Sequence, residues 1–166
     1  MNSSPLKILI FDGSFKTTAF INRLAAGLSE RHQVYIAGFN EELKQPVPRV
    51  RYIPLGSNQS KRRFITTACY WAKKESLNTI LRTFKLLLKG DKKSIQEHNL
   101  KIALKTIKPD IIHLQWTSVI APFEEVLKQQ QIPVILSQRG FLTNLKPFVY
   151  LENMTYLRGN NRRVVN

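Results

Sequence analysis

The chain reads as an α/β protein with a doubly wound parallel sheet. Three observations lead there. Short apolar runs rich in β-formers recur at residues 6–11, 33–39, 50–55, 111–115 and 133–137. Segments with apolar residues at helical spacing separate them. The first strand–helix–strand unit closes through short connections, the mark of a parallel crossover.

The first run, residues 6–11, is bounded by Pro5 and by Asp12, Gly13 and Ser14, and reads as a buried strand. A helix follows, with Phe20, Leu24 and Leu28 four apart and Ile21 and Ala25 beside them. Thr17 or Thr18 can cap its start, and Arg31 and His32 sit at its end, where positive charge suits the helix dipole. Residues 33–39 form the second strand. The polar stretch 41–49, with Pro46 and Pro48, is a loop. Residues 50–55 alternate and read as a third strand, ending at a turn over Gly56, Ser57 and Asn58.

Residues 61–89 are helical in two pieces, broken near Ser76, and Gly90 and Asp91 end them. A further helix over 92–107 carries Ile95, Leu100, Ala103, Leu104 and Ile107, and Lys108, Pro109 and Asp110 stop it. Residues 111–115 are the fourth strand. Pro122 suits the first turn of a helix running to Gln130, with Phe123, Val126 and Leu127 on its apolar side. Residues 133–137 are the fifth strand. The predicted domain is 1–150, and the polar end, 151–166, is expected to be a poorly ordered tail.

Strands alternating with helices imply a parallel sheet covered on both faces. Right-handed crossovers give the strand order 3-2-1-4-5. Ligands of such sheets bind beyond the carboxyl ends of the strands. The positions to inspect are therefore 12–16, 56–60, 115–118 and 137–141.

Composition narrows the classes. The chain has 166 residues, 43% of them hydrophobic, so it is globular rather than disordered. No apolar run reaches the ~18–20 residues of a membrane span. A single cysteine, Cys69, excludes a disulfide framework or a cysteine-rich zinc site, and no histidines have ligand spacing, so no metal is expected. No secretory signal opens the chain, which leaves the cytoplasm as the expected compartment.

The net charge is +15, and residues 61–108 hold 13 Lys and Arg against three acids, a net of +10. Such a stretch suits an anionic partner, or is simply a solvated basic surface. Lys61, Arg62, Arg63, Lys73, Lys74, Arg82, Lys85 and Lys89 lie beside Phe64, Ile65, Ala68, Trp71, Ala72, Leu81, Phe84, Leu87 and Leu88. Basic and apolar positions side by side fit peripheral contact with an anionic membrane; the alternative is that the apolar stripe packs on the sheet. No nucleic-acid-binding motif occurs, so charge alone speaks for nucleic acid.

At the ligand edge, Gly13 and Ser14 follow the first strand. Glycine there lets a ligand approach the backbone, or it serves an ordinary strand-to-helix turn. No dinucleotide fingerprint, phosphate loop or nucleophile elbow is present. His113 can bond a sugar hydroxyl, serve as acid or base, or pack in the core. Gln115 and Trp116 offer a hydrogen-bonding handle and a platform for a sugar, or core packing. Arg139, next to Gly140, can grip a phosphate or carboxylate, or form a surface ion pair. His32 and His98 receive no role.

The segments ILIFDGSF, RLAAGLSERHQVYIAGF, KPDIIHLQW and IPVILSQRG, in this order, resemble the amino-terminal domain of family-four glycosyltransferases. The likeness covers about residues 7–148. It implies one Rossmann-like half of a GT-B fold, the half that holds the acceptor of a retaining transferase. The acceptor would be a sugar, polysaccharide or lipid-linked hydroxyl, as in cell-envelope or polysaccharide biosynthesis. The nucleotide sugar would be held by a carboxy-terminal donor domain, with no cofactor bound by this chain. Three positions depart from the family pattern. Only Gly13 matches its glycine-rich turn, Gln115 stands at the second position of its His-x-His stretch, and Arg139 replaces a histidine before glycine. The donor domain's two glutamates, separated by seven residues, have no counterpart here. The resemblance therefore implies a truncated relative, weakly active or inactive alone. Relatives that use lipid-linked acceptors are similar in carrying a basic patch on this domain.

Overall fold

The computed structural model describes residues 4–16, 18–43, 45–75, 77–115, 123–129 and 131–137. Along them run β1 (Lys7–Ser14), α1 (Ala19–Ser29), β2 (Gln33–Phe39), β3 (Val50–Pro54), α2 (Lys61–Ala72), α3 (Leu77–Lys89), α4 (Lys92–Ile107), β4 (Ile111–Leu114), α5 (Glu124–Lys128) and β5 (Val134–Leu136). The five strands form one parallel sheet in the order β3-β2-β1-β4-β5. This is the doubly wound, Rossmann-like arrangement that the pattern of runs predicts. Trp116, Pro122, Arg139, Gly140 and the tail 151–166 lie outside the described residues.

Alternation along the strands sends side chains to two faces. Ile8, Ile10, Val34 and Ile36 meet Ile21 and Ala25 of α1. Leu9, Phe11, Tyr35, Ile112 and Leu114 meet Trp71 of α2, Leu100 and Leu104 of α4, and Phe123 and Val126 around α5. The predicted α1 stripe is shifted: Ile21 and Ala25 are its buried centre, Leu24 and Leu28 are half-buried, and Phe20 is 58% exposed.

The caps explain where the helices begin. Thr18 accepts the Ile21 N–H, Ser60 the Arg63 N–H and Asp91 the Ser94 N–H, at 3.5, 3.3 and 3.1 Å. At the end of α4, Lys108 turns left-handed (φ 51°) and donates to the Leu104 carbonyl at 2.8 Å. Pro109 then blocks continuation.

Helix α3 does not lie on the sheet core. It packs on α2 and α4, where Leu86 and Leu87 meet Phe64, Ala68 and Ile95. Leu81, Phe84 and Leu88 are left outward, and so is Ile65 of α2. The alternative that this stripe packs on the sheet therefore does not hold for those four residues. Helix α4 is enclosed by α2, α3 and the sheet-facing core, so its polar Gln96, His98 and Asn99 are buried as well as its leucines. His98, which received no role from the sequence, is an interior residue.

Candidate functional site

The carboxyl edge is built from the ends of β1, β2, β4 and β5 and the loop after β3. Strand β1 runs longer than the apolar run suggests. Instead of turning at Asp12, it continues through a bulge between Phe11 and Gly13, after which Gly13 pairs with Gly38 and Ser14 with Phe39. Gly13 takes φ 78°, a left-handed value that glycine adopts without strain. The neighbouring strand is equally tight, since a Cβ on Gly38 would stand 2.8 Å from the Ser14 nitrogen. Gly13 and Ser14 are thus strand residues at the ligand edge, not part of a turn before α1. Ser14 is half-buried, and its Oγ accepts the Lys16 N–H at 3.2 Å.

Across the break in strand order, between β1 and β4, stands His113. Pairing sets it beside Ile10 of β1 and Ile135 of β5. Its Nε2 lies 2.7 Å from the Ser137 Oγ, one of the two donating according to the imidazole tautomer. Gln115 follows β4, fully buried, with its backbone N–H bonded to the Phe11 carbonyl at 3.0 Å. On the sheet face of Phe11 and Leu114, Phe123 meets Phe11 edge-on at 5.1 Å and Phe39 at 6.4 Å. Gly13, Ser14, His113 and Gln115 therefore share one edge of the sheet, as their predicted strand-end positions require.

A second polar group was not foreseen from the sequence. Glu41, just past β2, is buried, and its Oε1 accepts the Ser57 hydroxyl at 3.2 Å and the Asn58 N–H at 3.1 Å. From α4, Gln96 donates to the Asn58 side chain and Asn99 to the Leu55 carbonyl, both at 3.0 Å. Gly56, at φ 137°, lets the chain turn against the Phe64 ring. These bonds fix the loop 56–60 at the ligand edge. The available signal was position: a carboxylate placed just after a strand, at the edge where ligands bind.

Lys61, Arg62, Arg63, Lys73, Lys74, Arg82, Lys85 and Lys89 are all exposed. None forms an ion pair among the described residues. Among those residues no cluster of three metal-ligating side chains occurs, and no helix is long and apolar enough to cross a membrane. No known protein family matches the chain, and no curated protein matches it.

Proposed function

We propose that the chain is the acceptor-side domain of a retaining, nucleotide-sugar-dependent glycosyltransferase. The observation that carries this reading is that Ser14 and the His113–Ser137 pair lie toward the carboxyl ends of strands on either side of the break between β1 and β4, where a sheet of this order offers a ligand crevice.

A neutral imidazole and a serine hydroxyl each donate or accept hydrogen bonds, which suits them to orient an acceptor hydroxyl. That hydroxyl would belong to a sugar, a polysaccharide or a lipid-linked saccharide. Arg139, which follows β5 in the sequence, is our candidate to grip a phosphate. The nucleotide sugar and the paired glutamates would come from a donor domain. Holding two reactants in place supplies much of a transferase's rate, so the acceptor side alone is expected to be weakly active or inactive.

The test is to join the chain to a family-four donor domain and follow labelled sugar from nucleotide donors into saccharide and lipid-linked acceptors. Transfer is expected, with Arg139→Ala lowering it at least about tenfold, the scale of a lost charge-assisted contact. No transfer from any donor, while the fused donor domain still binds nucleotide sugar, would contradict the reading. Unchanged transfer by Arg139→Ala would remove that residue from the site.

One observation favours a second reading, a basic module for an anionic membrane surface. On α3, Leu81, Phe84 and Leu88 are 68%, 54% and 89% exposed and share one stripe, beside the exposed Arg82, Lys85 and Lys89. Apolar side chains next to cations suit the interface of anionic lipids. The readings are compatible: peripheral attachment at the inner, cytoplasmic face would hold a lipid-linked acceptor near the crevice.

A further inference from the structure

The opposite edge of the sheet carries a cleft that owes nothing to the acceptor reading. It lies at the amino ends of β1 and β2 and against the edge strand β3, roofed by the last turns of α2 and α4, with a volume of about 460 Å³. Small-ligand sites usually span ~300–1,000 Å³. Strand register assembles its floor, since Lys7 pairs with Gln33 and Tyr35 with Arg51, and residues two apart share a face. Lys7, Arg51 and Lys74 line it, together with Tyr35, Tyr70 and Trp71, and no carboxylate does so among the described residues.

These cations are held by rings and a carbonyl rather than by counter-charges. The Arg51 guanidinium lies 5.8 Å from the Tyr35 ring centre. Lys74 Nζ lies 4.6 Å from the Tyr70 ring centre and 5.2 Å from that of Trp71. Aromatic faces orient a cation without cancelling its charge. Lys7 Nζ donates to the Ile107 carbonyl at 3.3 Å. Two carboxylates lie nearby: Asp110 accepts the Lys7 backbone N–H at 2.7 Å and keeps its negative charge, whereas Glu75 is paired with Lys105 at 2.9 Å.

The carboxyl ends of α2 and α4 oppose an anion here, each contributing about half a negative charge. Three full positive charges outweigh these and the charge of the nearby Asp110 carboxylate, and leave a balance of about +1. We propose that this cleft binds a phosphate-monoester dianion. Arg51 can offer two parallel N–H donors to its oxygens, while Lys7 and Lys74 act as point charges. The Trp71 N–H is already used on the Pro54 carbonyl at 2.6 Å, so Trp71 contributes only its ring. A soluble phosphorylated metabolite and a lipid phosphate headgroup share this recognised group.

The test has two arms. The chain is titrated calorimetrically with inorganic phosphate and glycerol phosphate. It is also sedimented with phosphatidylcholine vesicles, with and without phosphatidic acid. Saturable binding is expected in at least one arm, and the arm identifies the source. Arg51→Gln/Lys74→Gln alters two exposed side chains, so the fold should persist, as circular dichroism would verify. It should weaken binding at least about tenfold. Arg23→Gln/Arg31→Gln, on and just after α1 across the sheet, removes the same charge and should change binding less than about twofold. Absence of saturable binding in both arms would overturn the proposal. So would binding that persists in the Arg51/Lys74 variant, or an equal loss in the Arg23/Arg31 variant.

Discussion

His98 shows how the surroundings of one residue set its chemistry. It is buried on α4, and its Nε2 has no hydrogen-bond partner among the described residues. Burial, reinforced by Arg82 and Lys101 and opposed by Glu75, holds its imidazole below the ordinary value of about 6.5. A depressed pKa means that the unfolded chain binds the proton first as pH falls. The associated stability is complete above about pH 6.5 and is lost as pH falls through the folded-state value. The urea midpoint should therefore drop between pH 7.5 and pH 5 by more in the native chain than in His98→Gln. Equal drops would show that the imidazole is solvated. Nothing local in the sequence marks His98, because its burial comes from three neighbours closing around α4. Glu41 is the same case: its polar loop sequence suggests solvent, and only tertiary packing buries it. By contrast, the edge positions of Gly13, Ser14, His113 and Gln115 follow from strand ends alone, and those were readable from local pattern.

At the scale of elements, the period of the apolar residues locates every described helix and strand, and the caps refine their starts. What period cannot supply is which apolar stripe is buried. Helix α3 has apolar residues on two adjoining faces. One, with Leu86 and Leu87, meets α2 and α4; the other, with Leu81, Phe84 and Leu88, meets solvent. The membrane reading makes a direct prediction from that division. Leu81→Glu/Phe84→Glu should reduce sedimentation with anionic vesicles at least about tenfold, since each buried apolar side chain contributes roughly 1.5–3 kcal/mol. The melting temperature should barely change, because both positions are already exposed. Undiminished vesicle binding would assign α3 no membrane role. The bulge in β1 was hidden for a related reason. A glycine after an apolar run signals a turn or a bulge equally well, and pairing with β2 decides between them.

Across the whole molecule, two edges of one sheet carry different chemistry. The carboxyl edge carries hydroxyl, amide and imidazole groups, which the acceptor reading assigns to a saccharide; the amino edge carries cations and rings, which we assign to a phosphate. The strand order follows from crossover handedness and alternating elements, so the order β3-β2-β1-β4-β5 was readable before any side chain was placed. On the proposed acceptor reading, the choice of saccharide would fall to the groups after β4 and β5, where Trp116, Arg139 and Gly140 stand in the sequence. The most direct test of the acceptor reading is an amide chemical-shift map of the isotope-labelled chain, titrated with hexose and N-acetylhexosamine saccharides. If the carboxyl edge holds the acceptor, at least one saccharide will shift the amides of Gly13, Ser14, His113, Gln115 and Ser137 in a saturable way. If every saccharide leaves those amides unmoved, the carboxyl edge is not a sugar site and the transferase reading fails.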